Sequence, residues 1–345
     1  MTVQSKFIKF HDAIKLSRED EAYKKAREKD DSVTADVKTA FREAGYPVIE
    51  NFIQGSLSTH TGVKQKGEDF DIDRAVVIDA EKAPENPVKP KIVICDDVLK
   101  KRGFKNAKVK KPCVTADYTS ENLHIDYPVY RKSGDNYELA VGKRGSDEGN
   151  RYWDEADPKG LRDWVTDSSE YGDSATSKVQ QFYRITRYLK RWRDEKFSSS
   201  ICKKVYSIGL TVMAKECFTP ELDDEGKFND LVALKNTVSA MLNGSYFIDQ
   251  GDEKYKVSVY TPVIPYREIF HNNCQDTGTQ FRNKLKSMEK NLLDAIAEED
   301  EKKQCKILSE LLGDDFPDCE DIKQSSSSNN RRFSTAGVVG TSQGA

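Results

Sequence analysis

Two carboxylates set two residues apart in an otherwise apolar run constrain this chain more than any other feature. The run is Glu68-Asp69-Phe70-Asp71-Ile72-Asp73-Arg74-Ala75-Val76-Val77-Ile78, and it follows a polar turn, Gln54-Gly55-Ser56, and a loop. Strand side chains alternate faces. Asp71 and Asp73 therefore share one side, with Asp69 one step behind, while Phe70, Ile72, Val76 and Ile78 share the other and read as core. Carboxylates this close repel, and a cation between them removes the cost. Hard oxygen donors favour Mg²⁺, usually held by one or two carboxylates plus substrate phosphates. Glycine lets a backbone come close to an anion, and Ser56 offers a hydroxyl and an N–H. A phosphate turn feeding a metal-binding strand reads as a nucleoside triphosphate site. The competing readings are a solvated strand edge whose charges discourage pairing, and Asp69 with Asp71 as the working pair.

A third carboxylate lies in Leu123-His124-Ile125-Asp126-Tyr127-Pro128-Val129-Tyr130. Leu123, Ile125, Tyr127 and Val129 alternate with His124 and Asp126. If this strand lies beside the first, Asp126 joins Asp71 and Asp73. Three carboxylates around two metal ions, roughly 3.5–4 Å apart, suit in-line attack of a hydroxyl on a phosphoryl group. That mechanism needs no histidine, so His124 reads as structural. Tyr152 and Trp153 could stack a base or simply pack.

Gly-Ser, a loop, Asp-Ile-Asp on a strand and a distant aspartate on another strand together resemble the DNA polymerase β-type nucleotidyltransferase superfamily. The fuller set adds His124-Ile125-Asp126-Tyr127-Pro128-Val129-Tyr130, Trp153-Asp154-Glu155-Ala156-Asp157-Pro158 and Tyr188-Leu189-Lys190-Arg191-Trp192-Arg193-Asp194. It resembles the bacterial relatives of cyclic GMP-AMP synthase, the cGAS/DncV-like nucleotidyltransferases or CD-NTases, from about Phe52 to Cys217. The resemblance implies an α+β fold: a polymerase β-like core with a mixed sheet, a mostly helical C-terminal domain like that of oligoadenylate synthases, and a cleft between two lobes. The expected division is residues 1–160 for the core lobe with its N-terminal helices, 161–323 for the helical lobe, and 324–345 for a disordered tail.

The resemblance favours Asp71 and Asp73 as the metal-bridging pair, with Asp126 binding the ion that activates the acceptor hydroxyl. Donor triphosphate is expected across Gln54, Gly55 and Ser56, with Lys190 and Ser207 closing on it from the helical lobe. The implied cofactor is Mg²⁺, two ions, with Mn²⁺ able to substitute. The implied substrates are NTPs, ATP or GTP foremost. The implied product is a cyclic di- or trinucleotide messenger that activates an effector in antiphage (CBASS) defence. Rival functions are a linear or terminal nucleotidyltransferase acting on RNA, a protein-modifying nucleotidyltransferase, and a catalytically silent nucleotide-binding module.

Composition narrows these. Hydrophobic residues make up 37% and charged residues 33% of 345, with a net charge of −3. That is a globular chain with a charged surface and no global basic signature for a long nucleic-acid groove. The first ten residues lack the apolar core of a secretory signal, and no run approaches a membrane span, so a cytoplasmic protein is expected. Seven scattered cysteines without a CxxC pair read as free thiols. His271 with Cys274 offers too few ligands for a zinc ribbon. The Ser/Asn/Gly-rich end from Ser325 has a disordered composition. In some relatives such a tail is joined to other molecules by an E1/E2-like partner; a frayed end is the simpler reading.

Periodicity predicts helices over Ser5–Arg27, from Ser32 to Gly45, Lys91–Arg102, Ser177–Lys196, Phe228–Leu242, Gln280–Ile296 and Lys303–Leu312, with another beginning near Lys203. On the Ser177–Lys196 helix, Phe182, Ile185, Leu189 and Trp192 make the core face, and Arg184, Arg187, Lys190, Arg191 and Arg193 make the remainder strongly basic. The run Lys105–Lys111 reads as a solvated basic face.

Overall fold

The computed structural model describes residues 2–17, 19–64, 70–121, 123–271 and 275–318. The chain opens with α1 (Val3–Ile14) and α2 (Glu21–Glu43). The predicted break near Ser32 is absent, and the chain bends instead at 15–20. There Lys15 bridges to Val63, Leu16 N–H donates to Gly62 O at 3.2 Å, and Ser17 N–H donates to the Asp20 carboxylate at 2.8 Å. Ser32 sits inside α2, its hydroxyl accepting from Arg102 at 2.7 Å. The inward stripe of α2 runs Tyr23, Ala26, Asp30, Val33, Val37, Phe41. An aspartate in that stripe hides it from a hydrophobicity count.

Asp30 is tolerated there because of a partner on the sheet. After β1 (Val48–Gln54) and one helical turn, α3 (Gly55–Ser58), comes β2 (Phe70–Asp79). Arg74 of β2 is 5% exposed. It donates to Asp30 through Nε (2.9 Å) and Nη2 (2.5 Å), to Asp31 at 2.7 Å and to Asn51 at 3.0 Å. A buried charge costs several kcal/mol unless paired and hydrogen-bonded. This pair lies beneath the strand that carries Asp71 and Asp73.

The chain continues through α4 (Val88–Ile92), extended by wider π-type turns over Val93–Lys100, and then β3 (Lys108–Val109) and β4 (Val114–Tyr118). β5 (Leu123–Tyr127), β6 (Val129–Ser133), β7 (Asn136–Val141) and β8 (Tyr152–Ala156) complete an eight-stranded mixed sheet. β5 and β6 both run parallel to β2, in one unbroken register from Phe70↔Leu123 to Asp79↔Lys132. Pro128 separates them, and its carbonyl accepts from Val76 N–H at 3.0 Å. β1 covers the other edge of β2, antiparallel. Ile72, Val76 and Ile78 of β2 face α2 and the 88–100 helix across a core that includes Val33, Val37, Phe41 and Ile125. On the opposite face, Ala75 and Val77 join a smaller cluster with Tyr130 and Tyr137.

From β8 the chain enters α5 (Pro158–Thr166), with proline in its first turn and Asp157 capping Gly160 N–H at 2.7 Å. There follow α6 (Ala175–Lys196), α7 (Ser199–Cys202), α8 (Ser207–Cys217), α9 (Asp230–Asn243), a two-stranded pair β9 (Phe247–Asp249) and β10 (Tyr255–Val257), α10 (Gln275–Ala297) and α11 (Glu301–Leu312). Their core contains Phe182, Leu189, Trp192, Leu210, Met213 and Phe281, and it also takes in Phe7, Phe10 and Ile14 of α1.

Cys95, Cys113, Cys202 and Cys217 are free thiols. Cys305 is disulfide-bonded, which corrects the expectation of thiols throughout, since spacing along the chain does not set distance in the fold. Cys274, Cys319 and the tail from Ser325 lie outside the described residues. Among the described residues no helix is long and apolar enough to cross a membrane.

Candidate active site

The antiparallel register of β1 on β2 places Gln54 opposite Asp73. The chain then turns at Gly55 with φ +67°. A Cβ there would run into the Asp73 carboxylate, so glycine is required both for the left-handed backbone and for its closeness to the acid. The turn is tied by Ser58 Oγ donating to Gly55 O at 2.9 Å and by Thr59 Oγ1 against Thr61 Oγ1 at 3.0 Å. The Gln54 side chain accepts from the Tyr130 hydroxyl at 3.0 Å.

The parallel register of β2 and β5 sets Asp73 directly beside Asp126 and Asp71 beside His124. Asp71 is exposed and Asp73 lies deeper. Burial, then the neighbouring charges of Asp126 and Asp71, push the Asp73 carboxyl up to about 6. Every one of those influences disfavours the anion. Asp126 accepts from Thr115 Oγ1, and Lys110 Nζ stands 3.8 Å away. Three hard-oxygen donors on one face, the deepest of them destabilised as an anion, are the donor set a divalent cation suits. The described residues do not present a closed metal cage of three or more His, Cys, Asp or Glu groups. The carboxylates share a face and a register without converging. Glu68 and Asp69 lie outside the described residues.

α6 forms the facing wall, and most of the basic residues that the sequence marks on it are buried. The basic residues of α6 are not a solvated face. Arg184 is paired with Asp230 at 2.6 and 2.8 Å. Arg187 donates to His60 O at 2.5 Å and to Gly62 O at 3.0 Å. Lys190 donates to Thr61 O at 3.1 Å and Thr61 Oγ1 at 2.8 Å, and Arg191 to Lys64 O at 2.7 Å. Positions 187, 190 and 191 fall on one helix face, and together they pin the loop that follows the Gly-Ser turn. Burial lowers the Lys190 ammonium to about 7, with Arg193 and Arg187 adding to the effect.

One cleft of about 700 Å³ is lined by Gly55, Ser56, Asp71, Asp73, Lys190 and Ser207. Six of the sequence-predicted residues thus meet at one surface. Asp126 adjoins Asp73 in register, and Gln54 is directed to Tyr130. Arg162, Arg193 and Lys203 also line the cleft and escaped the sequence reading. Arg193 was visible there only as one of many basic residues on its helix. Other expectations resolve as packing: His124 lies 3.4 Å from Asp117, and Trp153 donates from Nε1 to Pro84 O at 3.1 Å beneath Arg131.

Comparison with known proteins adds to this geometry. Residues 49–130, which span β1, the turn, β2 and β5, match the nucleotidyltransferase domain of DncV-like cyclic GMP-AMP synthases. Over these residues the chain is similar to the CD-NTase family. A cyclic GMP-AMP synthase of Escherichia albertii is 28% identical over 176 residues, 49% of this chain and 37% of that protein. One from Vibrio cholerae is 24% identical over 149 residues, 43% of this chain and 31% of that protein. The match therefore spans only about a third of these curated relatives. Among solved structures, the CD-NTase CdnG of Bradyrhizobium diazoefficiens, determined with GTP, aligns with a TM-score of 0.66 at 13% identity over 91% of this chain and 96% of that one. CdnC of E. coli MS115-1, determined with ATP, aligns with a TM-score of 0.60 at 15% identity over 91% and 98%. The mixed sheet with flanking helices is the α+β arrangement of these structures.

Proposed function

We propose that this protein joins NTPs into a cyclic di- or trinucleotide, with ATP and GTP as the first substrates to test. The observation that carries the proposal is a single cleft that brings Gly55 and Ser56, Asp71 and Asp73, and Lys190 and Ser207 together, with Asp126 in register beside Asp73. The domain match and the nucleotides held by the solved relatives support it.

In this reading the donor triphosphate lies along the Gly55-Ser56 turn, whose close-packed glycine leaves room for it. Lys190 and Ser207 hold the phosphates from the opposite wall. Asp71 and Asp73 would hold the divalent ions, Mg²⁺ or Mn²⁺, and Asp126 would serve as a ligand on the acceptor side. Bound there, a divalent ion lowers the pKa of a coordinated hydroxyl and offsets phosphate charge. The acceptor hydroxyl oxygen forms a bond to the α-phosphorus, the bond to the bridging oxygen breaks, and pyrophosphate leaves. The cleft walls fix both reactants, which converts a bimolecular encounter into an oriented one. A second transfer within the same cleft closes the ring, and the product feeds an effector in antiphage defence.

The test is a product assay with all four labelled NTPs and Mg²⁺ or Mn²⁺, followed by phosphatase and mass spectrometry, with the Asp71→Asn/Asp73→Asn variant alongside. Phosphatase-resistant small products absent from the variant are expected. Phosphatase-sensitive or long linear products would instead establish a linear nucleotidyltransferase.

A further inference from the structure

Arg193 lies one turn beyond Lys190 on α6 and also lines the cleft. Its side chain is 14% exposed. Nη1 donates to Ser207 Oγ at 2.5 Å and to Val205 O at 3.1 Å. Nε and Nη2 donate to Asp194 Oδ1 at 2.9 and 2.6 Å. Each contact fixes the guanidinium plane, and one of them is to a hydroxyl at the cleft wall.

A serine hydroxyl has one proton and two lone pairs. When a guanidinium occupies a lone pair, the hydroxyl proton is directed away from it, toward another acceptor. Ser207 is the first residue of α8, a helix of eleven residues, whose first backbone N–H groups have no intrahelical partner and carry positive partial charge. Its own carbonyl is occupied by Thr211 Oγ1 at 2.9 Å. The side chain of Lys190, 4% exposed, reaches the same cleft. The Asp194 carboxylate, which also lines the cleft, is taken up by Arg193 and by Cys202 Sγ at 3.6 Å.

We propose that Arg193 is a positioning residue for the donor triphosphate, acting by holding Ser207 Oγ as an obligate hydrogen-bond donor toward the phosphates. The inference rests on the NTP reading of the cleft. Arg193 itself need not touch the nucleotide. Its fork geometry makes it specific, because a lysine ammonium would supply charge without holding Ser207, Val205 and Asp194 at once.

The experiment is calorimetric titration of the full chain, in Mg²⁺, with the unreactive α,β-methylene analogues of ATP and GTP and with AMP and GMP. Wild type is compared with Arg193→Gln, Arg193→Lys, Ser207→Ala and the Arg193→Gln/Ser207→Ala pair. Arg193→Gln is expected to weaken the triphosphate analogue about tenfold, the scale of one hydrogen bond to a charged group, and to leave the monophosphate unchanged. The double variant should bind no worse than the weaker single one, since residues acting as a unit are non-additive. Equal losses for mono- and triphosphate would show that Arg193 only ties the turn before α8, and fully additive losses would show that it does not act through Ser207. Either result overturns the proposal. If Arg193→Gln does not fold, Arg193→Lys carries the same comparison. Lys190→Ala separates the two levels: if it weakens the analogue and Arg193→Gln does not, this inference alone fails, and if neither does, the NTP reading of the cleft fails with it.

Discussion

The two walls of the cleft are built by opposite means. The acidic wall is set by backbone register: β2 and β5 run in parallel pairing, so Asp73 meets Asp126 whatever their side chains do. The basic wall is set by side chains: α6 reaches the loop at 60–64 through Arg187, Lys190 and Arg191, each donating to a main-chain carbonyl. On one side charge is held against its own repulsion, and on the other cations are spent on structure and one is driven toward neutrality. A ligand that brings cations to the first wall and anions to the second relieves both.

The sharpest break in that comparison is Asp73→Asn. Product formation is expected to fall at least about a thousandfold, beyond the range reported for loss of one well-placed electrostatic group, as read by the NTP assay. Stability should move the other way. Folding raises the Asp73 pKa to about 6, so between the usual carboxylate value and 6 the folded state binds more protons than the unfolded state. Stability therefore falls as pH rises through that window and stays lower above it. The ligand-free Asn variant should melt a few degrees higher than wild type at pH 8, a gain of about 2 kcal/mol, with a smaller difference at pH 5.

Arg74→Met leaves Asp30 buried without its partner and is expected to cost about 3–5 kcal/mol in urea unfolding. A loss under 1 kcal/mol would mean that the acidic strand does not depend on the pair beneath it. Lys190→Met tests the opposite wall. Triphosphate binding should weaken roughly tenfold or more, while unfolding changes little because the variant gives up a desolvated amine. The smallest effect is expected at Lys110, whose exposed pairing with Asp126 at 3.8 Å belongs to the weak class of surface ion pairs. Lys110→Ala should alter turnover by no more than about threefold, and a larger loss would extend the acidic wall to include a working cation.

The difference between the walls also explains what was readable in the sequence. Alternation at 70–78 and 123–130 marks two strands with acids on one face, and parallel pairing does the rest. The helices from α6 onward follow their apolar periods closely. Asp30 defeated the same method, because an ion pair with a residue 44 positions away makes an aspartate part of a core stripe. The basic residues of α6 defeated it too: thirteen residues of that helix are buried, and a helix buried nearly all round has no solvent face to display. Arg193 and Thr61 take their positions from contacts that no local spacing encodes.

The attachment of α1 to the helical core has a consequence for synthesis. Phe7 packs on Tyr188, ring centroids 5.3 Å apart, and its carbonyl accepts from the Tyr188 hydroxyl at 2.8 Å. The residues that bury α1 are translated 181 positions after it, a delay on the order of ten to forty seconds at ordinary elongation rates. Throughout that interval the sheet can assemble from its own strands, while Phe7, Phe10 and Ile14 wait exposed at the ribosome. α1 is made well before the helix that buries it, so the nascent chain carries an apolar handle for chaperones until α6 emerges.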